Sequence, residues 1–96
     1  MPHLILTEKA ARGVARCLDF LAQHDEPASL RASAAIASRL VSLKTRPLIG
    51  RPAPNDTREL VIPFGSSGYV ARYRYDATRD TVMILAVRHQ REAGYR

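Results

Sequence analysis

The sequence has one cysteine and no long apolar run, and each scarcity excludes a class of protein. A single cysteine, Cys17, cannot form an internal disulfide framework, and it agrees with a reducing cytoplasm. No apolar run approaches the roughly 18 residues that indicate a transmembrane helix. The apolar stretch at 4–6 is too short for a secretory signal, and no basic segment precedes it. At 96 residues, the chain is expected to form one cytoplasmic domain without membrane contact.

The spacings that metal sites and covalent catalysis require are also missing. The possible metal ligands are His3, His24, His89 and Cys17. None of them has a second ligand at the spacing of H-x-x-x-H or C-x-x-C. The segment GSSG at 65–68 has neither the pattern of a nucleophile elbow nor the Gly-Lys-Ser/Thr of a phosphate loop. We therefore expect no metal site and no cofactor.

Lysine is scarce while arginine is abundant, and this imbalance is the first positive indication of function. The chain has 13 arginines against 2 lysines, a net charge of +6 and a pI near 10.2. A planar guanidinium can hold a carboxylate or a phosphate through two parallel hydrogen bonds. The charge therefore predicts either a nucleic-acid surface or a surface that an acidic protein covers. A GC-rich genome would also raise the arginine count.

Hydrophobic spacing predicts a strand within 1–6, followed by two helices. Thr7 is a suitable N-cap for the first helix. The first helix carries the apolar stripe Ala11, Val14, Leu18 and Leu21, with Ala10 and Cys17 beside it, and the second carries Ala32, Ile36, Leu40 and Leu43. Because only the break HDEP at 24–27 separates them, the segment 7–45 should form an antiparallel helix hairpin.

The second half of the chain changes to the period of a strand. The segment 46–57 contains three prolines and a glycine and is predicted to be a loop. Turns at 65–68 and 76–80 divide the segment 58–89 into a three-stranded antiparallel meander, and 90–96 remains as a C-terminal tail. The economical arrangement is a single two-layer α+β domain, in which the helix hairpin packs on the meander and the N-terminal strand joins an edge of the sheet.

Basic side chains are concentrated on the predicted meander. Side chains repeat every two residues along a strand, so Arg72 and Arg74 should share one face of the sheet. Arg58 begins the neighbouring strand and Arg88 follows the strand that pairs with it, which makes all four candidates for one cluster. A simpler interpretation is that alternate arginines form only the solvated face of the sheet.

His89 and Tyr95 would add proton transfer to that cluster. A histidine changes charge near neutral pH, and a tyrosine can donate from its hydroxyl or stack on a base. If arginines also stabilise the phosphorane charge, such a set could cleave RNA without a metal. The candidate catalytic set for this reaction is Arg58, Arg72, Arg74, Arg88, His89 and Tyr95.

The order of the motifs resembles one known protein family. SLKTRPLIGRP, in which a helix end meets a P-x-x-G turn, is followed by Arg58-Glu59-Leu60, by GYVARYRY and by an apolar strand that ends in Arg88-His89-Gln90-Arg91. Over almost the whole chain this order resembles the RelE/ParE superfamily of type II toxin–antitoxin toxins. The resemblance implies a small cytoplasmic toxin that is encoded beside its antitoxin.

The resemblance also implies the partners of the protein. A cognate antitoxin with an acidic segment would wrap the toxin, covering the apolar helix surface and the sheet edge. That antitoxin would carry the operator-binding domain, so sequence-specific DNA binding is not expected of this chain. ParE-like members inhibit DNA gyrase and stabilise plasmids, whereas RelE-like members cut messenger RNA on the ribosome.

Two features of the sequence bear on the choice between these targets. RelE-like ribonucleases carry lysines or a glutamate in the loop and strands of the site, but Lys9 and Lys44 both lie in predicted helices. The helix hairpin and the H-x-R at 89–91 are more similar to ParE. We therefore predict a gyrase inhibitor, with a metal-independent ribosome-dependent endoribonuclease and an inactive antitoxin-binding module as alternatives. The predicted contact residues are Arg88, His89, Arg91 and Tyr95.

Overall fold

Two helices and one five-stranded sheet make up the part of the chain that the computed structural model describes, residues 1–95. In chain order the elements are β1 (His3–Leu6), α1 (Glu8–Ala22), α2 (Glu26–Val41), a 3₁₀ helix (Ser42–Lys44), β2 (Arg51–Ala53), β3 (Thr57–Phe64), β4 (Ser67–Asp76) and β5 (Thr81–His89). The order across the sheet is β1-β5-β4-β3-β2. β1 pairs parallel with β5, and all other neighbours pair antiparallel. This confirms the predicted α+β fold, with the N-terminal strand at a sheet edge.

The prediction that 46–57 is only a loop is wrong, because this segment contains the edge strand β2. β2 pairs with β3, and Pro52 lies opposite Arg58. A proline at a sheet edge costs no ladder hydrogen bond if its missing N–H would have faced outward. The second helix is also shorter than 7–45 implies, since α2 ends at Val41 and the chain continues as a 3₁₀ helix. No helix within residues 1–95 is long and apolar enough to cross a membrane.

Side-chain caps fix where each helix begins. The Thr7 hydroxyl accepts a hydrogen bond from the backbone N–H of Ala10 (3.2 Å) and donates one to the carbonyl oxygen of Ile84 (2.6 Å). One residue thus satisfies an open N–H of α1 and ties that helix to β5. Asp25 caps α2 by accepting from the N–H of Ala28 (3.0 Å). The break in HDEP is therefore confirmed as the junction of the hairpin.

The core lies between the helices and one face of the sheet. The predicted stripe of α2 is confirmed, since its four members are at most 6% exposed; they are Ala32, Ile36, Leu40 and Leu43. On α1, the predicted apolar stripe lies part of a turn away from the residues that are buried. The buried line there is Ala10, Gly13 and Cys17, whereas Val14, Leu18 and Leu21 are only partly buried. Small side chains at the centre bring α1 close to the sheet, and the larger ones flank that contact.

Gly13 is the point of closest approach between α1 and β5. A Cβ added at this position would overlap the carbonyl oxygen of Val87, which belongs to the backbone of β5 and cannot rotate away. The requirement is therefore one of space, since α1 is a regular helix at Gly13 and its backbone there needs no glycine.

Gly13→Ala should lower the free energy of unfolding by up to about 2 kcal/mol, which urea denaturation would measure. The overlap costs about 1–3 kcal/mol, from which the roughly 1 kcal/mol that alanine gains in helix propensity is subtracted. Gly94→Ala is the matched control, because a Cβ at Gly94 meets nothing within 4 Å. A Gly13 variant about 1 kcal/mol more stable than the wild type, the full gain in helix propensity, would show that α1 can move off β5 without cost.

Candidate functional site

Charged side chains gather on the sheet face that the helices leave open. Glu59 of β3 pairs with Arg72 of β4, and Arg88 of β5 pairs with Val70. Paired residues point to the same face of a sheet. Their sequence neighbours Leu60 and Tyr73 belong to the core, so Glu59, Arg72 and Arg88 share the opposite face.

The C-terminal tail folds back over this face and places Tyr95 at its centre. The Tyr95 hydroxyl donates a hydrogen bond to the Glu59 carboxylate (2.8 Å). The guanidinium carbons of Arg72 and Arg88 lie 4.7 and 4.9 Å from the centre of the tyrosine ring. Both distances are within the range of cation–π attraction. We call these four residues the Tyr95 cluster.

Glu59 is the anionic centre of the Tyr95 cluster. One carboxylate oxygen accepts from the Arg51 guanidinium (3.3 Å), and the other accepts from Arg72 (3.4 Å) as well as from Tyr95. Burial raises the pKa of Glu59, but the Tyr95 hydrogen bond and the charges of Arg51 and Arg72 together outweigh it, so the pKa lies below its usual value. The carboxylate is therefore ionised at neutral pH.

The pKa of Tyr95 lies well above its ordinary value of 10.0. Burial raises its pKa first, and the hydrogen bond to ionised Glu59 and the charge of that carboxylate raise it further. The positive charges of Arg88 and Arg72 act in the opposite direction, and the resulting pKa is about 12. The hydroxyl thus stays protonated at neutral pH and remains a donor to Glu59.

Arg88 shapes the tail that delivers Tyr95. One guanidinium nitrogen donates to the carbonyl oxygens of His89, Gln90 and Glu92, each at 3.1 Å. The Glu92 carboxylate accepts from the backbone N–H of His89 (3.1 Å) and from Arg16 of α1 (3.3 Å). These contacts fold the first residues after β5 into a compact turn held against α1.

Two arginine nitrogens of the Tyr95 cluster are hydrogen-bond donors that have no acceptor in the described part of the chain. Within residues 1–95, the buried Nε atoms of Arg72 and Arg88 have no hydrogen-bond partner. A buried donor without a partner costs free energy, which the other contacts of the two guanidiniums must offset.

The structure does not bring Arg58 into the cluster. Arg58 pairs with Tyr73, so its side chain lies on the helix-facing side of the sheet, opposite to that of Glu59. There its guanidinium donates to the carbonyl oxygens of Leu48 (3.1 Å) and Gly50 (2.8 Å). The prediction that it joins the other arginines is wrong because it considered adjacent strands without their register.

Arg74 shares the face of Arg72 but works at the far end of the sheet. Its guanidinium donates to the carbonyl oxygens of Asn55 (2.8 Å) and Asp56 (3.4 Å), in the turn between β2 and β3. Four strand residues, or about 13 Å, separate it from the level of Val70, opposite which Arg88 lies. Arg74 therefore secures a turn instead of extending the cluster.

His89 and Arg91 also lie apart from Tyr95. His89 pairs with Tyr69 and stands edge-on to its ring at 5.5 Å, on the helix-facing side of the sheet. Its Nδ1 accepts from the backbone N–H of Arg91 (3.1 Å). The Arg91 side chain is exposed in the tail. Of the predicted residues, the structure thus unites Arg72, Arg88 and Tyr95, and it adds Glu59.

Comparison with known proteins identifies the family. The family model for the ParE toxin of the type II toxin–antitoxin system parDE matches residues 4–94. The chain belongs to this family. It is therefore a toxin of a type II toxin–antitoxin system in the RelE/ParE superfamily, and membership implies a cognate antitoxin as its partner.

The proteins that are similar to this toxin include two named RelE and one from a ParDE system. Toxin RelE1 of Caulobacter vibrioides is 37% identical over 71 residues, which cover 74% of this chain and 76% of that protein. Toxin RelE3 of the same organism is 33% identical over 92 residues, covering 96% and 98% of the two chains. A solved structure of the chromosomal ParDE system from P. aeruginosa superposes with a TM-score of 0.77 at 22% identity, over 93% of this chain and 96% of that one. That last similarity shows a shared fold.

Glu59→Gln should lower the pKa of Tyr95 from about 12 toward the ordinary value of 10.0, because the amide removes the carboxylate charge while burial remains. Ultraviolet absorbance of tyrosinate against pH, taken as the difference between each protein and its Tyr95→Phe form, isolates this titration. A folded-state pKa above the unfolded one gives stability that is complete below pH 10.0 and is lost as the pH rises through about 12. Because the substitution brings the folded-state pKa of Tyr95 closer to the unfolded value, this stability should be smaller and should be lost at a lower pH.

Glu8→Gln is the control for this titration. Glu8 is 91% exposed at the start of α1, and its replacement makes the same chemical change outside the Tyr95 cluster. It should leave the Tyr95 titration unchanged. An unaltered pKa in the Glu59 variant would contradict the assignment of Glu59 as the acceptor.

Proposed function

We propose that this toxin inhibits DNA gyrase by protein contact through the C-terminal end of its sheet. The observation that carries the proposal is that the Tyr95 hydroxyl is bonded to Glu59 and stays protonated at neutral pH. With a pKa of about 12, only about one tyrosine in 10⁵ is ionised at pH 7. General acid–base catalysis is most efficient with a pKa near the working pH. The cluster is therefore better suited to a fixed contact surface than to proton transfer.

The side chains at this end have the character of a protein-binding site. Arginine and tyrosine are enriched among the residues that dominate binding energy at interfaces. Arg88 holds the tail in one shape through its three carbonyl contacts, and such preorganisation lowers the entropy lost on binding. The proposed contact residues remain Arg88, His89, Arg91 and Tyr95. A gyrase inhibitor restrained by its antitoxin would serve plasmid or locus maintenance.

A RelE-like messenger RNA endoribonuclease is the second candidate. It is favoured by the convergence of Arg72 and Arg88 on the ring of Tyr95, because two guanidiniums beside a hydroxyl could stabilise a phosphorane while a proton moves. The similarity to two toxins named RelE agrees with it. For this reaction Tyr95 would have to leave Glu59, since that carboxylate keeps its hydroxyl protonated.

Purified toxin should abolish DNA supercoiling by gyrase and should not cut messenger RNA on ribosomes. Tyr95→Phe keeps the ring over both guanidiniums and removes only the hydroxyl with its hydrogen bond to Glu59, so it should retain inhibition within about threefold. Tyr95→Ala also removes the ring and should weaken inhibition by more than about tenfold. Ribosome-dependent RNA cleavage that Tyr95→Phe abolishes, without any effect on supercoiling, would replace the gyrase proposal with the ribonuclease.

Arg88→Ala should raise survival after toxin induction by at least about tenfold, because it removes an interface side chain and loosens the tail. Arg79→Ala is the matched control, since Arg79 lies in the turn at the opposite end of β5 and its side chain is 83% exposed. Thermal denaturation and immunoblotting would establish that both variants are folded and equally expressed. Undiminished growth arrest by Arg88→Ala would count against the contact surface.

A further inference from the structure

Helix α1 runs alongside β5 in the same direction and reaches past the end of that strand. The start of α1 is tied to Ile84 through Thr7, and the middle of the helix lies against Val87. Arg16 lies about one turn beyond that second contact, at a level where β5 has already ended at His89. The side chain of Arg16 therefore meets the C-terminal tail, which follows the strand.

The Glu92 carboxylate, which Arg16 contacts, also closes the tail into a turn. Its Oε2 accepts from the Arg16 guanidinium (3.3 Å), and its Oε1 accepts from the backbone N–H of His89 (3.1 Å). The backbone N–H of Glu92 in turn donates to the carbonyl oxygen of His89 (3.0 Å). Only 30% of the Arg16 side chain and 22% of the Glu92 side chain are exposed. Salt therefore screens this ion pair less than it screens a pair on the open surface.

The middle of the tail gains little from packing. Ala93 and Gly94 are both exposed, and a Cβ added at Gly94 would meet nothing within 4 Å among residues 1–95. Tyr95, which follows them, rests on the sheet through its hydrogen bond to Glu59 (2.8 Å). The tail is thus held on either side of two exposed residues. The ion pair of Glu92 with α1 fixes the direction in which the tail leaves β5.

We propose that Arg16 is a positioning residue for the target contact, and that it acts through Glu92 to hold the C-terminal tail in one arrangement. The inference rests on the proposed function, in which Arg91 and Tyr95 of this tail contact the target. Arg16 belongs to α1 and is not one of the proposed contact residues. A side chain that orders the tail before binding lowers the entropy that binding must remove. Loss of the ion pair therefore weakens inhibition although every contacting group remains.

Arg16→Met keeps a long apolar stem and removes the charge, so it should weaken inhibition of gyrase supercoiling by at least about fivefold. Arg16→Lys keeps a cation beside Glu92 and should stay within about twofold of the wild type. Arg12→Met is the matched control, because Arg12 lies one turn earlier on α1 and pairs with the exposed Glu8 (3.4 Å). It should leave inhibition unchanged. Thermal denaturation would establish that all three variants are folded.

Trypsin cleavage after Arg91 measures release of the tail without any target. The Arg91 side chain is exposed, but the turn around it must open before a protease can bind the backbone. Arg16→Met should raise the rate of this cut by at least about fivefold, whereas Arg12→Met and Arg16→Lys should leave it within about twofold of the wild type. Mass spectrometry would identify the loss of residues 92–96. Cuts elsewhere in the chain measure global unfolding separately.

Glu92→Gln tests whether Arg16 acts through Glu92. The amide oxygen can still accept from the backbone N–H of His89, so the substitution mainly removes the charge that Arg16 contacts. Inhibition should weaken about as much as in Arg16→Met. The double variant should lose no more than about twofold beyond either single variant, because both changes remove the same interaction.

Three results would overturn the proposal. They are additive losses in the double variant, a tail-cleavage rate that Arg16→Met leaves unchanged, and tail release without any loss of inhibition. If the wild-type toxin leaves supercoiling unaffected, the proposed function fails, and growth arrest after toxin induction decides this inference instead. Arg16→Met should then relieve the arrest while Arg12→Met does not, and equal arrest by the two variants would also contradict the role of Arg16.

Discussion

The close packing of α1 against β5 is the contact on which the rest of the structure depends. The Thr7 hydroxyl ties the start of the helix to Ile84, and Gly13 lets its middle lie against the backbone of Val87. With α1 fixed in this way, Arg16 on its next turn can hold Glu92 after the end of β5. The position of the tail, and with it the Tyr95 cluster, follows from how closely one helix approaches one strand.

Local rules predict most of the elements of this fold from the sequence. Spacing identifies the buried stripe of α2, and HDEP marks its start, because both depend on residues within a few positions. The centre of the α1 stripe is missed because periodicity gives weight to large apolar side chains, whereas the closest contact is made by Gly13. β2 is missed because prolines in a segment indicate a loop, although an edge strand can hold a proline such as Pro52.

The candidate site is predictable only in part. Arg88 and Tyr95 stand out because they follow an apolar strand, but the choice of their neighbours requires register. Phe64 pairs with Ser67 across a two-residue turn, and counting back from that pair would have placed Glu59 opposite Arg72 and Arg58 opposite Tyr73. The fold-back of the tail has no such signal, since Tyr95 and Glu59 are 36 residues apart and meet only in the finished sheet.

The parallel pairing of β1 with β5 joins two strands that are far apart in sequence. His3 lies opposite Thr81 and Leu6 opposite Ile84, so the first strand finds its place only after β5 has been synthesised. Contacts so distant in sequence form late, since the intervening loop must first be closed at an entropic cost. A growing or truncated chain that lacks β5 has no strand against which α1 can pack, and it has no Arg88 to hold the tail and contact the Tyr95 ring. The sheet and the candidate site therefore both depend on β5.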